Sequence, residues 1–277
     1  MSTAVALLVL FSAFVHALWN ALLKRSREPE KAVLGLALVG AAVSALCAVA
    51  LRAPWPPPRA ILAIVASGLL EAGYFVTLAR ALSRAPLGAV YTVVRGGALL
   101  VVWPVSVLVL GERLTAARIL GTLLVLLGLA SAGSPRGTKG RAMLVAALCA
   151  CFVGGYHLAY KVALSEGGRP EIVTALSLTI AALVNLGRAR AAGVAAALRV
   201  ARGEPVIVLG GGALSAVGFL AFLWAMQGAG AGLVLTLRNT SILFAQLLAL
   251  TQGERPSRRG VVGAVLVFAG AVALARS

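Results

Sequence analysis

Three ionisable residues lie where their environment makes charge costly. Arg95 and Arg238 each fall about eight residues into a long apolar run, and Glu71 is the one acidic residue deep inside such a run. On membrane-insertion scales a charge at a helix centre costs ~2.5–3.5 kcal/mol, so each of these residues calls for a functional reason. Two guanidiniums facing one cavity repel unless an anion lies between them. A carboxylate, phosphonate or phosphate meets that need, because arginine presents a planar fork of donors. The opposing reading is that each arginine snorkels to a surface or pairs permanently with Glu71. Glu71 itself admits two roles, a proton-coupling carboxyl or the fixed counter-ion of Arg95 or Arg238.

Ser12, His16, Asn20 and Lys24 recur at four-residue steps. On a helix this is one polar stripe, and a polar stripe belongs against protein or a cavity, not lipid. His16 and His157 carry groups able to move protons near neutral pH, and hydrogen-bonded packing is the plainer role for both. Tyr91 precedes Arg95 by one turn. Together with Trp19, Tyr156 and Tyr160 it forms either an aromatic wall or part of an interfacial belt. Asn239 and Gln246 follow Arg238 in the same apolar run and are candidate hydrogen-bonding wall residues. Lys24 and Lys161 lie near run ends, where snorkelling accounts for them.

The elements that must position these groups are long apolar helices. The chain is 61 % hydrophobic and 12 % charged, with a mean hydropathy of +0.99; a soluble domain carries about 45–50 % apolar and about 25 % charged residues. A chain of 277 residues cannot bury that much apolar surface within itself, so lipid is its expected solvent. The ruler of roughly 20 apolar residues per crossing places ten spans near 3–23, 31–51, 59–80, 87–110, 115–133, 142–163, 169–187, 204–226, 231–250 and 258–275. The first run lacks a basic leader and a cleavage site, so it reads as a retained helix and not a signal peptide. The connection from Arg188 to Glu204 reads as a short basic helix on an anionic leaflet or as a plain solvated loop.

The net charge of +17 lies mostly in short loops, where it sets topology and meets anionic head groups; nucleic acid is not an expected partner. Sixteen Lys and Arg residues follow the odd-numbered spans and seven lie on the other side, which places both termini outside by the positive-inside rule. Cys47, Cys149 and Cys151 sit in apolar runs without disulfide or zinc spacing. No zincin, nucleophile-elbow or phosphate-loop motif is present, so no catalytic residue, metal or cofactor is assigned.

The halves of the chain resemble each other. Gly111-Glu112-Arg113 recurs as Gly253-Glu254-Arg255, and Gly121 and Gly128 recur as Gly263 and Gly270. Gly68, Phe75, Ala81 and Gly88 are matched by Gly212, Phe219, Ala225 and Gly232, Arg95 by Arg238, and Trp19-Asn20 with Lys24 by Tyr156-His157 with Lys161. A five-helix unit is odd-numbered, so its second copy enters the membrane from the opposite face. The expected fold is therefore all-α and integral to the membrane, with ten transmembrane helices as two inverted five-helix repeats, 1–136 and 137–277. Inverted repeats supply two equivalent gates around a midplane site.

The segments Phe14-Val15-His16-Ala17-Leu18-Trp19-Asn20-Ala21-Leu22-Leu23-Lys24, Tyr74-Phe75 to Ala79-Arg80-Ala81, Val90-Tyr91 to Arg95-Gly96, and Leu110-Gly111-Glu112-Arg113-Leu114 resemble the EamA-like branch of the drug/metabolite transporter superfamily. That resemblance covers essentially the whole chain. It implies ten helices around a central cavity and alternating access driven by an ion or substrate gradient, with amino acids and other metabolites among the family's cargoes. It also implies both termini in the cytoplasm, against the charge tally, so orientation stays open.

The expectation is a multi-pass cell-membrane carrier (cytoplasmic membrane in a bacterium), monomeric or homodimeric, for a small anionic or zwitterionic metabolite. The residues Arg95, Arg238, Tyr91, His16, Trp19, Asn20, Tyr156, His157, Asn239 and Gln246 are expected at its substrate site, and Glu71 at the proton. Alternatives are an organic-cation exporter, using Glu71 with Trp19, Tyr74 and Tyr91, an intramembrane enzyme, and a channel or scramblase.

Overall fold

In a computed structural model of the chain, the structure describes residues 2–85, 87–132, 140–251 and 258–276, and for 87–89, 91, 92, 132, 249–251 and 275 the backbone alone. These residues form eleven α-helices: α1 (Thr3–Arg25), α2 (Pro29–Ala50), α3 (Pro58–Arg84), α4 (Leu87–Leu108), α5 (Ala116–Ala132), α6 (Gly140–Ser165), α7 (Pro170–Gly203), α8 (Gly211–Gln227), α9 (Ala231–Arg238), α10 (Ser241–Thr251) and α11 (Arg258–Ala275). Local chemistry sets the starts. The Ser2 hydroxyl accepts from the Val5 amide to cap α1. Proline opens α2, α3 and α7, at a position whose N–H has no intrahelical partner to lose.

Seven apolar stretches are long enough to cross a membrane: α1, α2, α3, α6, α7, the stretch Val206–Gln227 and the stretch Ala231–Leu248. Two shorter apolar helices, Val93–Leu108 and Ala116–Ser131, accompany them. Their outward faces carry residues such as Leu46, Leu62, Leu100 and Leu127, each more than half exposed, as a lipid-facing surface requires.

Two spans depart from the sequence-based expectation. The seventh does not stop at residue 187. The helix continues to Gly203 across an elbow at Arg190, whose backbone has φ 55 and ψ 173. The leg beyond it buries Ala196, Ala197 and Val200 and exposes Arg199, so the connection is a short basic amphipathic helix and not a plain loop. Apolar content cannot see this, because Ala-rich sequence continues a helix at either polarity.

The ninth expected span, 231–250, is broken. α9 ends at Arg238, Asn239 and Thr240 form a turn, and α10 begins at Ser241. Amides of Asn239, Thr240, Ile242 and Leu243 bond three residues back, to Thr236, Leu237, Asn239 and Thr240. The break falls in four consecutive polar residues, three of them weak helix formers (Asn239, Thr240 and Ser241), a local effect that averaged hydropathy conceals.

Packing exchanges the two halves. α1 packs on α8 and α10, α6 on α3 and α4, α2 on α7, and α5 on α11. The glycine pairs of the repeat meet each other. A Cβ on Gly121 would lie 3.0 Å from the Gly270 carbonyl oxygen, one on Gly270 2.6 Å from the Gly121 oxygen, and one on Gly128 2.6 Å from the Gly263 oxygen. Ascending α5 from 121 to 128 thus descends α11 from 270 to 263, and the two helices run antiparallel with their backbones touching.

Reciprocity extends to the lysines. Lys24 Nζ donates to the carbonyls of Leu82 (2.5 Å) and Ala85 (3.0 Å), and Lys161 Nζ to those of Met226 and Ala229 (2.9 Å each). These lysines do not merely snorkel: each plugs the last carbonyls of a helix in its own half, where a cation complements the helix dipole.

The Gly-Glu-Arg motif, noted in the sequence only as a repeat, has a structural job. Both Glu112 carboxylate oxygens accept from the first amides of α9, at 2.9 Å from Gly232 and 3.0 Å from Leu233. Gly230 is needed there because a Cβ would lie 2.3 Å from the Glu112 carboxyl carbon. Its equivalent Glu254 lies outside the described residues. Glu112→Ala is expected to destabilise the protein by ~1–2 kcal/mol, the worth of a charged N-terminal cap; an unchanged melting temperature of the purified variant would show that the cap contributes nothing.

Candidate functional site

The site is built where α1, α6, α8 and the α9–α10 break converge. The polar stripe of α1 points inward: Ser12 and Asn20 are fully buried and His16 nearly so. Ser12 Oγ donates to the Gly218 carbonyl at 2.7 Å, and Asn20 Nδ2 to the His16 carbonyl at 2.7 Å. Because the stripe's spacing matches the helical repeat, its groups reach α8 and α9 on one face.

Arg238, at the C-terminal end of α9, is completely buried. Nη1 lies 3.3 Å from His157 Nε2 and Nη2 lies 3.2 Å from His16 Nδ1. The His157 tautomer follows from its surroundings. Nδ1 is 2.5 Å from the Val153 carbonyl, which can only accept, so Nδ1 carries the proton and Nε2 offers its lone pair to Arg238. The guanidinium carbon lies 4.2 Å from the Phe222 ring centroid and 5.4 Å from that of Phe219. Among the described residues no carboxylate forms an ion pair with Arg238. Its charge is held by two neutral imidazoles and two π-faces.

Arg95, on α4, is also buried. It borders a cavity of about 10 Å³ together with His16, Asn20, Tyr74, Val94 and Tyr156. That is room for about one water. His16 belongs to both environments: it accepts from Arg238 and lines the cavity that Arg95 borders. The two predicted arginines are therefore brought to one cluster.

The α9–α10 break adjoins this cluster. Arg238, Asn239, Thr240 and Ser241 are at most 2 % exposed. Among the described residues, Arg238 Nε, both Asn239 amide atoms, Thr240 Oγ1 and Ser241 Oγ have no hydrogen-bond partner. Unpaired buried polar groups cost about 1–3 kcal/mol each; five in one turn are a reserve of unmet hydrogen bonds. Irregular backbone at membrane depth persists where it is buried in protein, as it is here, or where it lines a cavity.

The aromatic residues form an interior wall, not a belt at the membrane surface. Trp19, Tyr156 and Tyr160 are completely buried. Tyr156 stacks on His157 at 4.3 Å and meets Tyr74 at 5.4 Å and Tyr160 at 5.5 Å, and Trp19 meets His16 edge-on at 5.2 Å. Phe219 and Phe222, which cradle Arg238, were not singled out from the sequence as site residues; only the recurrence of Phe75 at Phe219 hinted at one of them. The Tyr91 side chain lies outside the described residues. Gln246 is partly buried on α10, beyond the break, and among the described residues no hydrogen bond joins it to the cluster.

Glu71 is completely buried on α3, one aromatic layer from Arg238. It accepts hydrogen bonds from Ser177 Oγ at 2.6 Å and from the Tyr160 hydroxyl, and among the described residues it has no ion pair with Arg95 or Arg238. Ser177 Oγ lies 2.9 Å from Ser67 Oγ, which lies 2.8 Å from the Ile64 carbonyl. This chain can invert. With Glu71 ionised, Ser177 donates to it; with Glu71 protonated, the carboxyl donates to Ser177, Ser177 to Ser67, and Ser67 to Ile64. Both protonation states are then satisfied without moving a heavy atom.

The EamA-like transporter family model matches residues 3–133 and again residues 140–276. The chain belongs to the EamA-like transporter family, and it is a multi-pass membrane transporter of the drug/metabolite type. A crystal structure of a protein 21 % identical shares its fold with a TM-score of 0.74 over 99 % of both chains. No curated protein matches the chain in sequence.

Proposed function

We propose that the protein is a secondary-active carrier for a small anionic or zwitterionic metabolite, held between Arg95, Arg238 and the polar α9–α10 break. The supporting observation is Arg238, a buried cation whose protein partners are neutral imidazoles and π-faces. An isolated buried charge costs several kcal/mol, and a substrate carboxylate, phosphate or phosphonate supplies the missing counter-charge. The carrier works by alternating access, with the halves 1–136 and 137–277 as inverted five-helix repeats in a cell membrane. The reciprocal Gly121–Gly270 and Gly128–Gly263 contacts and the matched Lys24 and Lys161 plugs support a pseudo-two-fold axis perpendicular to α5 and α11, as does the double family match. α4, α5 and α11 then complete ten spans. Glu71 carries the coupling proton, supported by its invertible hydroxyl chain.

The test is thermal stabilisation of the purified protein against carboxylates, phosphonates, amino acids and organic cations, since a ligand that binds only the folded state raises its stability by mass action. Stabilisation by an anion or zwitterion that disappears in Arg95→Ala and Arg238→Ala is expected. Stabilisation by cations alone, undiminished in both variants, would replace this reading with that of an organic-cation exporter.

A further inference from the structure

A second cavity lies away from the central cluster, in the elbow of α7. It measures about 240 Å³, against ~10–15 Å³ for a single water. Its rim carries Lys31, Arg80 and Arg188 with a single carboxylate, Glu30, so three cations face one anion. Glu30 is shared by Arg80 (3.6 Å) and Arg84 (3.9 Å), and Lys31 pairs with Glu28. Among the described residues no ion pair engages Arg188.

At the base is Asn185, 8 % exposed. Its Nδ2 donates to the Ala72 carbonyl at 3.2 Å, which ties α7 to α3 beneath the cavity, and its Oδ1, unpartnered among the described residues, is shielded from the cavity. The remaining wall is apolar, with Val33, Leu34, Val76 and Ala197. The cavity exists because α7 turns at Arg190, where a non-glycine residue adopts a left-handed φ of 55. Such backbone strain concentrates at functional positions.

The cavity thus combines an arginine rim and an apolar wall. It opens at the helix ends that bear most of the chain's positive charge, where anionic head groups gather. We propose that the α7 elbow binds an anionic phospholipid. The phosphodiester lies against Arg188 and Arg80, and the glycerol backbone and first methylenes lie along Val33 and Val76. Bound there, the lipid braces the elbow between α2, α3 and α7. This site is independent of the substrate reading.

The test is native mass spectrometry of the detergent-purified full chain, titrated with dioleoyl-phosphatidylglycerol, dioleoyl-phosphatidylcholine and soluble glycerol phosphate. Wild type is expected to hold phosphatidylglycerol at least tenfold more tightly than phosphatidylcholine. Arg188→Gln, an exposed change that leaves the fold intact, is expected to bring the two within threefold. Arg27→Gln, an exposed change on the same side of the molecule but outside the cavity, is expected to keep the preference. An unaltered preference in Arg188→Gln, or equal losses in both variants, would overturn the site. Displacement of the lipid by equimolar glycerol phosphate would reassign it to a soluble phosphate ester.

Discussion

Arg238→Met is expected to abolish binding and counterflow of the anionic substrate while leaving the substrate-free protein at least as stable as wild type. Charge-assisted, bidentate hydrogen bonds to a carboxylate or phosphate in a desolvated site contribute about 3–4 kcal/mol, and each 1.4 kcal/mol is tenfold in affinity. A loss of several hundredfold follows. The stability half of the prediction rests on the desolvation of an arginine that, among the described residues, no carboxylate neutralises. Methionine gives up the bonds to His16 and His157, about 1.5–3 kcal/mol each, but relieves a burial penalty of several kcal/mol. It also retains contact with the faces of Phe219 and Phe222. Arg238→Lys keeps the charge but cannot span two imidazoles at 3.3 and 3.2 Å, so it is expected to recover only part of the binding. The measurement is melting temperature and ligand-induced shift on the same preparation. A large drop in melting temperature in the methionine variant, with binding retained, would make Arg238 a structural element and end the substrate model.

Glu71→Gln is expected to separate coupling from transport. Glutamine places an acceptor toward Tyr160 and a donor toward Ser177, reproducing the protonated arrangement of the Ser177–Ser67–Ile64 chain. The variant should therefore fold normally and exchange substrate by counterflow at near wild-type rates. Accumulation driven by a pH gradient across proteoliposomes should disappear. Glu71→Ala differs, because it leaves the buried hydroxyls of Tyr160 and Ser177 without an acceptor, at about 1–3 kcal/mol each; its expected effect is lost stability. Accumulation that still follows the pH gradient in Glu71→Gln would remove the proton from Glu71.

The sequence alone determined the solvent of the chain, its helical class and its internal repeat. Those properties are sums over many residues: 61 % hydrophobic content, apolar runs of membrane length, and glycines and charges recurring in order. The inward direction of the α1 stripe was legible for the same reason, since four-residue spacing fixes one helix face whatever the partner. The sequence also indicated that buried arginines and a buried glutamate need partners, because that cost is intrinsic to the groups.

Which partners they have was decided by the tertiary structure. Arg238 rests on His16 and His157 from two different helices and on two phenylalanines of a third, and Glu71 on hydroxyls of α6 and α7. None of these pairings is encoded in spacing along one helix. The break after Arg238 and the elbow at Arg190 escaped hydropathy because each depends on a few residues. One is a short run of polar, weakly helix-forming residues, and the other places a non-glycine residue at positive φ. Distant helices hold both in place. The contacts of Glu112 and of Asn185 were decided in the same way: Glu112 caps the distant start of α9, and Asn185 donates to the Ala72 carbonyl of α3.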